Sequence, residues 1–268
     1  MSTATDRSTR LPRRDALRPL RYVLRVPLLL MLAVVGVLIA LLGLNPLTAR
    51  IRVGNSTLDQ SLVRWWSRGL LRLFGFRVRR IGTPLTDGVL YVANHISWLD
   101  IELMHSQRAM GFVAKSEIAG WPLVGWMAQR SGTIFHRRGN TDSLASVMGE
   151  VTARLRRGDG VGVFPEGGTG RGGSVRTFHA RIFQTALDAD VPVQPVALLY
   201  GRDGQQDPGV PFASGEKFFP NLWRLLGGQG MDAEVHFLQP VEATPEARRR
   251  MAEESRARIM QALGYTES

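Results

Sequence analysis

The chain has 268 residues, enough for one large domain or two small ones, and its 44% hydrophobic and 21% charged residues exclude global disorder. The formal net charge of +11 favours an anionic partner, either nucleic acid or an acidic membrane surface. The sequence has no cysteine, which excludes disulfides, a thiol nucleophile and cysteine-ligated metals and suits a reducing compartment.

A charge-free apolar run, residues 26–44, follows an arginine-rich N-terminus. A membrane-spanning helix needs about 20 such residues, and the arginines before it would stay on the cytoplasmic side. A cleaved signal peptide fits less well because no small-x-small cleavage site follows the run. A buried helix of a soluble domain is a further alternative that the length and the basic flank disfavour. The run therefore predicts a membrane-embedded helix.

The next segment, residues 58–76, has helical periodicity with an arginine at every fourth position. One interpretation is an interfacial helix whose arginines meet lipid phosphates. The other is a helix that packs its apolar side on the domain and leaves the arginines in solvent. Topology is open in the same way: one true crossing would place the rest of the chain outside, whereas a re-entrant pair of helices would keep it on the cytoplasmic side.

From residue 88 onward, short apolar runs alternate with helical patterns. This alternation predicts an α/β fold with a mixed, mostly parallel sheet flanked by helices, preceded by the membrane-embedded helical segment. We expect residues 1–80 to form the basic N-terminus with its membrane-associated helices and residues 81–268 to form the α/β domain. The turn-rich residues 201–221 are expected to form a loop near the substrate. Predicted strands are 88–94, 110–117, 132–137, 160–168, 191–201 and 232–241, and predicted helices are 98–106, 122–132, 140–160, 179–190 and 246–264.

His95 and Asp100 interrupt an apolar stretch at the predicted junction between a strand and a helix. An aspartate that accepts from one imidazole nitrogen fixes the tautomer and leaves the other nitrogen free to take a proton from an alcohol. The third partner would then be the hydroxyl of a substrate rather than a serine of the chain. A purely structural hydrogen bond between the two side chains is the alternative.

Two further blocks suggest an anion site. Arg137 and Arg138 end a predicted strand and offer guanidinium groups to a phosphate, unless they are simply solvated. The block "FPEGGTGRGG" combines Glu166 with five glycines and Arg171, so its backbone N–H groups can cradle an anion. No Gly-Lys-Ser/Thr follows, so it is not a nucleotide P-loop. Glu166 is expected either to hold an arginine in place or to bind a substrate hydroxyl.

Taken in order, four blocks resemble the motifs of the glycerolipid acyltransferases, the family of the bacterial 1-acylglycerol-3-phosphate acyltransferases. The resemblance covers roughly residues 85–200, and four ordered motifs are far more specific than any one of them. The matching positions are Asn94, His95 and Asp100 in "NHISWLD", Gly132, Phe135 and Arg138 in "GTIFHRR", Phe164 to Gly167 in "FPEGG", and Val191, Pro192 and Pro195 in "VPVQPVAL".

The resemblance implies a role for each block. His95 would be the general base that deprotonates the acceptor hydroxyl, and Asp100 its orienting partner. The acyl donor would be the thioester of acyl-CoA or acyl-carrier protein, with no metal and no other cofactor. The residues implied to bind substrate are Asn94, Arg138, Glu166, Gly167, Gly168, Thr169 and Arg171.

The implied reaction acylates the free 2-hydroxyl of 1-acylglycerol-3-phosphate and gives phosphatidic acid. Acceptor and product are membrane lipids, which accounts for an N-terminal anchor and an anionic membrane surface as partner. Helices of this family can lie in one leaflet, so the resemblance favours the re-entrant topology. It places the protein at the inner membrane with the catalytic domain on the cytoplasmic face.

One departure from the family pattern concerns the acceptor. The family usually continues Glu-Gly-Thr, whereas here Gly168 stands before Thr169. Lyso-ornithine lipid, which related acyltransferases accept, is therefore an alternative acceptor. A lipid A late acyltransferase shares the anchor and the His-(x)4-Asp/Glu pair but fits the later blocks less well. A non-catalytic membrane-binding module is the alternative from another class, and no recognised nucleic-acid motif supports a nucleic-acid binder.

Overall fold

The structure is a computed structural model that describes residues 15–137, 141–202, 204–242 and 248–266. Its centre is a sheet of eight strands within these residues, in the order β3-β10-β8-β4-β7-β5-β6 with β9 beside β8. β8 runs antiparallel to its neighbours β10 and β9, and the other neighbouring pairs are parallel. The strands of this sheet are β3 (Phe76–Ile81), β4 (Val89–Ala93), β5 (Gly111–Lys115), β6 (Ile134–His136), β7 (Gly160–Val163), β8 (Val193–Arg202), β9 (Gln205–Gln206) and β10 (Met231–Phe237).

Helices cover both faces of the sheet, as the alternating sequence pattern predicts. The helices α2, α3 and α8 pack on one face, and α6, α7 and α9 pack on the other. A short hairpin of β1 (Arg52–Val53) and β2 (Ser56–Thr57) joins the first two helices. The helices are α1 (Arg18–Leu38), α2 (Leu58–Leu73), α3 (Leu99–Gln107), α4 (Ser116–Ala119), α5 (Val124–Arg130), α6 (Thr141–Arg156), α7 (Gln184–Ala189), α8 (Phe218–Leu226) and α9 (Arg248–Ala262).

Strand β4 shows how the sequence builds both cores. All five of its residues are buried, because successive side chains of a strand point to opposite faces and both faces are covered. Tyr91 packs in the core on the α2 and α3 side, whereas Leu90 and Val92 pack in the core on the α6 and α9 side. A strand that is apolar throughout is typical of a central parallel strand.

The predicted α/β architecture with a mixed, mostly parallel sheet is confirmed. The elements that the prediction missed include strand β3 and helix α8. Strand β3 lies in the arginine-rich stretch before the first predicted strand, and four of its six residues are exposed, so it shows no apolar alternation. Helix α8 begins inside the segment 201–221 that was predicted as a loop, and residues 207–217 of that segment are irregular.

Helix α1 continues through a wider helical turn to Gly43. The described residues include one helix, Arg18–Gly43, that is long and apolar enough to cross a membrane. Its outward face leaves large apolar side chains exposed, among them Val23, Leu30 and Val34 at 70%, 64% and 61%. Its inward face contacts the domain, where the Trp66 indole donates to the carbonyl of Leu32 at 2.8 Å.

Helix α2 packs its apolar side on the domain, as the second of the two interpretations expects, but its arginines are not all left in solvent. Leu70 and Leu71 are buried in the domain core, and the Arg68 guanidinium donates to the carbonyl of Ser106 on α3 at 2.7 Å. Trp65 differs from the predicted apolar side, because its indole is 56% exposed. The helix is thus an integral layer of the α/β domain.

Candidate active site

The residues with chemical function lie at the carboxyl ends of two neighbouring parallel strands. His95 follows β4, and Glu166 follows β7, its partner in the sheet. This edge is where α/β folds place their ligands. The buried side chain of Asn94 exchanges two hydrogen bonds with the backbone of Leu198 on β8, at 2.9 and 2.8 Å. Asn94 thereby fixes the point at which the chain leaves β4 and His95 begins.

His95 and Asp100 pair directly, with Nδ1 and Oδ2 2.7 Å apart. The five-residue spacing works because residues 95–98 form a turn and α3 begins only at Leu99. Asp100 sits in the first helical turn, and its Oδ2 also accepts from the backbone N–H groups of Ile96 and Ser97 at 2.6 and 2.9 Å. A carboxylate is favourable at a helix N-terminus, where such donors have no helical partner. The predicted pair is therefore held in place by the turn that creates it.

The imidazole of His95 is oriented for proton transfer. Its Nδ1 faces the carboxylate of Asp100, which assigns the ring proton to that nitrogen. The ring stacks on Phe164 with centroids 4.0 Å apart, and Phe164 stacks on Phe112. Within the described residues Nε2 has no hydrogen-bond partner, and the side chain is 18% exposed. Nε2 is thus the nitrogen that can accept a proton from an incoming hydroxyl group.

Glu166 is buried and holds both the histidine and an arginine. Its Oε1 accepts from the backbone N–H of His95 at 2.8 Å, and its Oε2 accepts from the backbone N–H and the Nε of Arg176 at 3.0 and 3.4 Å. The Arg176 guanidinium also donates to the carbonyl of Gly168. Glu166 therefore holds an arginine in place, which is the first of its two expected roles. Its expected contact with a substrate stays a prediction.

The glycine-rich loop meets His95 from the other side. The backbone N–H of Gly170 donates to the carbonyl of His95 at 2.6 Å. Gly167 has a φ of +73°, and a Cβ there would lie 3.1 Å from the His179 ring, so this turn favours glycine. The N–H of Gly167 closes the turn on the carbonyl of Phe164 at 3.1 Å. The loop from Gly167 to Arg171 is thus fixed relative to the base.

An open cleft of about 480 Å³ lies beside this loop. Thr169, Gly170 and Arg171 form one wall, so two of the predicted substrate-binding side chains face a space that a ligand can enter. The opposite wall is Trp121 with residues 212–216 and Phe218. The sequence analysis did not identify any of these opposite residues by itself, although it expected the turn-rich stretch 201–221 to lie near the substrate.

The far wall of the cleft is held by a salt bridge between Glu216 and Arg224, 2.7 Å apart. The hydrogen bond from Arg224, helped by those from Asn221 and the backbone of Ala213, lowers the pKa of Glu216 to about 2. Arg224 also donates to the carbonyl of Pro211 at 2.9 Å. One arginine of α8 therefore shapes the irregular segment that faces Thr169 and Arg171.

Several predicted site residues lie together at one edge of the sheet, and one is not among the described residues. His95 shares hydrogen bonds with Asp100 and with Glu166 at the carboxyl edge of the sheet, and Asn94 precedes it and bonds to Leu198. The segment Gly167–Arg171 follows Glu166. Arg138 lies outside the described residues. Sequence reasoning missed Tyr200, whose hydroxyl donates to Asp100 Oδ1 at 2.8 Å. Its only signal was a single hydroxyl group near the end of the apolar run "VPVQPVALLY".

The fold and the position of the site are those of an α/β enzyme. The sequence profile of the Acyltransferase family matches residues 76–199. The chain is 39% identical over 206 residues to the lyso-ornithine lipid O-acyltransferase of Pseudomonas aeruginosa, covering 77% of this chain and 80% of that protein. It is 34% identical over 177 residues to the 1-acyl-sn-glycerol-3-phosphate acyltransferase of Neisseria gonorrhoeae, covering 63% and 66%.

The chain therefore belongs to the acyltransferase family, and the protein is an acyltransferase. The crystal structure of the 1-acyl-sn-glycerophosphate acyltransferase of Thermotoga maritima has the same fold, with a TM-score of 0.61 and 21% identity, covering 91% of this chain and 99% of that one. These relatives support the resemblance of the four sequence blocks to this family. Their names give two different acceptor lipids.

Proposed function

We propose that the protein transfers a fatty acyl group from acyl-CoA or acyl-carrier protein to the free hydroxyl of a lysolipid, with His95 as the general base. The observation that carries this proposal is the His95–Asp100 pair: its Nε2 has no partner within the described residues, and the His95 backbone carbonyl accepts from Gly170 of the loop that walls the cleft. A structural histidine would not need a buried carboxylate on one nitrogen and an unpartnered second nitrogen within the described residues. A protein that only binds membranes has no use for such a base.

In the proposed reaction the lysolipid hydroxyl gives its proton to Nε2 of His95 while its oxygen attacks the thioester carbonyl carbon. Asp100 stabilises the imidazolium that forms, because its carboxylate lies 2.7 Å from Nδ1. The tetrahedral intermediate then collapses, the C–S bond breaks, and the leaving thiolate takes the proton from Nε2. The ester and the free thiol are the products. The scheme uses no metal and no resident cofactor.

Lyso-ornithine lipid is the acceptor we favour. The relative that is 39% identical over 80% of its length is named for that lipid, and relatives in Brucella abortus and Rhodobacter capsulatus carry the same name. The displaced Thr169, preceded by Gly168, supports an acceptor other than the usual phosphoglycerol. Arg171, exposed on the cleft wall, would bind the carboxylate of the ornithine headgroup.

The second candidate acceptor is 1-acylglycerol-3-phosphate, which would give phosphatidic acid. Relatives at 34% identity in Neisseria gonorrhoeae and Neisseria meningitidis are named for this reaction. The same Arg171, together with Arg138 of the "GTIFHRR" block, would then bind the phosphate. The shared requirement of both acceptors is an anionic group next to a free hydroxyl.

We further propose that α1 lies in one leaflet of the inner membrane with the catalytic domain on the cytoplasmic face. Contacts at both ends of this helix support the proposal. Arg25 near its start donates to the carbonyl of Leu226 at 2.8 Å, and the carbonyl of Ala40 near its end accepts from Arg130 at 3.0 Å. A helix held to one domain at both ends cannot cross the bilayer away from that domain. Soluble thioesters then reach the site from the cytoplasm.

Helix α8 extends the apolar surface of α1. Tyr22 of α1 stacks on Trp223 of α8 with centroids 4.6 Å apart, and Phe219 and Trp223 are 71% and 51% exposed. Phe218, the neighbouring residue, lines the cleft. A lysolipid in the bilayer would therefore meet α8 immediately before the cleft. We call α1 together with Phe219 and Trp223 the apolar face.

The test measures acyl transfer by the purified protein in lipid nanodiscs. Labelled acyl-CoA and acyl-carrier protein are each offered with lyso-ornithine lipid, 1-acylglycerol-3-phosphate and uncharged lysolipids. His95→Ala is compared with His236→Ala, because His236 on β10 forms the same kind of pair with Glu234, at 2.9 Å, and neither of these two residues lines the cleft. We expect transfer to be lost in the first variant by a factor of about 10²–10⁴ or more and kept in the second.

The distribution of label decides the acceptor. Label in ornithine lipid supports the favoured acceptor, and label in phosphatidic acid alone replaces it with the second candidate. Transfer that persists in His95→Ala contradicts the proposed base. No transfer with any donor and acceptor would contradict the proposed reaction and favour a module that only binds the membrane.

A further inference from the structure

The carboxylate of Asp100 is shared between two kinds of partner. Its Oδ2 faces His95 and two backbone N–H groups, whereas its Oδ1 accepts from the hydroxyl of Tyr200 at 2.8 Å. Both Asp100 and Tyr200 are fully buried. Within the described residues the phenol is the one side-chain or backbone donor to Oδ1, so this oxygen depends on a residue 100 positions away in the chain.

The sheet explains why Tyr200 reaches this oxygen. β4 and β8 are paired in parallel up to Ala93 and Val196, and β8 then continues past the end of β4. Tyr200 lies on the same face of β8 as Leu198, and that face carries α3 with Asp100. The ring is supported from the side by Phe76 on β3, with centroids 5.6 Å apart at 69°.

We propose that Tyr200 is a positioning residue for acyl transfer, which donates its phenolic proton to Asp100 and thereby sets how tightly the His95–Asp100 pair binds a proton. The inference rests on the proposed function of that pair. A general base must lose its proton again in every turnover, so a carboxylate that holds the imidazolium too strongly slows the reaction. A donor on Oδ1 shares the negative charge and moderates that hold.

The phenol is suited to this role because it stays a donor. Burial, helped by the nearby carboxylate of Asp100, raises the pKa of Tyr200 well above its ordinary value of 10. The other charged groups around the pair are already engaged. Glu102 of α3 accepts from the Ser67 hydroxyl at 2.7 Å, and Glu166 accepts from the backbone of His95 and from Arg176.

The test is Tyr200→Phe, which removes one hydroxyl and leaves the ring packed on Phe76. Its matched control is Tyr91→Phe, since Tyr91 lies on the neighbouring β4, is equally buried, and donates to the carbonyl of Leu85 at 2.5 Å rather than to the pair. Burial raises the pKa of Tyr91 to about 12, so it is also a permanent donor. Each variant loses the same atom from the same core.

We measure the pH dependence of kcat/KM in nanodiscs and, independently of activity, the titration of the His95 ring by NMR with ¹³C-labelled histidine, assigned with His95→Ala. Loss of a donor to the carboxylate makes the pair bind its proton more tightly. In Tyr200→Phe we therefore expect the acid limb of the profile and the His95 titration midpoint to move up by about one pH unit. In Tyr91→Phe both are expected to stay in place.

The two readouts separate this inference from the proposed function. An upward shift of the His95 titration midpoint in Tyr200→Phe, without a shift in Tyr91→Phe, supports the positioning role. This holds whether or not transfer is detected in the unaltered protein. A titration that is unchanged, or that moves equally in both variants, overturns it. A fall in kcat/KM that follows only the loss of folded protein, with the acid limb unmoved, also overturns it.

Discussion

Glu166 and His95 stand 71 positions apart, yet Glu166 Oε1 accepts a hydrogen bond from the backbone N–H of His95 at 2.8 Å. The contact exists because β4 and β7 are neighbouring parallel strands, so that the turns after them meet at one edge of the sheet. The carbonyl of the same histidine accepts from Gly170, beyond Glu166 in the chain. Two sequence blocks thus form one rigid unit that fixes where the base stands.

Replacement of Glu166 by glutamine tests this unit. One carboxylate oxygen becomes an NH₂ group that faces backbone or guanidinium donors, so a buried polar contact is lost. We expect a loss of about 2 kcal/mol in the free energy of unfolding, a fall of roughly 4–8 °C in Tm and a fall of about 10–100-fold in kcat/KM. Calorimetry and the acyl-transfer assay measure these effects. Glu150→Gln, which loses only the half-exposed pair with Arg154, serves as control, and equal effects in both variants would contradict the role of Glu166.

Replacement of Arg171 by alanine tests the headgroup assignment. The guanidinium is exposed on the cleft wall, so its loss removes an attraction for an anionic headgroup without a cost to folding. We expect the KM for the lysolipid to rise about 10-fold while kcat and the KM for the acyl donor stay near their original values. Arg181→Ala, an exposed arginine that does not line the cleft, is the control. A rise confined to the KM for acyl-CoA would assign Arg171 to the donor instead.

The apolar face predicts a membrane contact made by the catalytic domain itself. We expect the double variant Phe219→Ser and Trp223→Ser to bind anionic vesicles several-fold more weakly, because two exposed aromatic side chains no longer enter the bilayer. Flotation of the detergent-purified protein with vesicles measures this. Ile81→Ser is the control, since this residue is 44% exposed at the end of β3, which runs antiparallel to β4 and so ends at the opposite edge of the sheet. Equal weakening in both would show that α8 has no special part.

The salt bridge between Glu216 and Arg224 predicts a pH-dependent stability. The pKa of Glu216 is lowered to about 2 in the folded protein, so its stabilising effect is fully present above the ordinary value of 4.5 and is lost as the pH falls toward 2. Both side chains are partly screened by solvent, so we expect Glu216→Gln to lower Tm by about 2–4 °C near neutral pH. The difference from the original protein should shrink between pH 4.5 and 2. A difference that is constant over this window would contradict the assignment.

Much of the fold was predictable from local patterns. Strands such as β4 and β8 are continuous apolar runs, and α6 has apolar residues at helical spacing with Gly158 shortly after its end. Their type therefore follows from periodicity and turn residues. Strand β3 was not predictable because an edge strand with exposed arginines shows no apolar run. Helix α8 was also not predicted from the sequence. It follows a long irregular segment, contains Pro220, and exposes two of its aromatic residues, Phe219 and Trp223.

The sequence by itself determined the chemical groups and their local geometry. The spacing of His95 and Asp100, with a turn before the helix, is enough to bring a carboxylate to an imidazole, because both lie within one short segment. The order of the four blocks likewise identified the family. These inferences depend on neighbours along the chain or on motif order, which a sequence displays directly.

Only the tertiary structure decided what surrounds that pair. Strand pairing brings Glu166 to the backbone of His95 and brings Tyr200 to the second oxygen of Asp100. Contacts with α8 and α5 hold both ends of α1 against the catalytic domain. Each of these contacts joins positions far apart in the chain. Such contacts depend on which strands and helices become neighbours, and that arrangement is determined by the burial of the apolar surfaces of the whole chain.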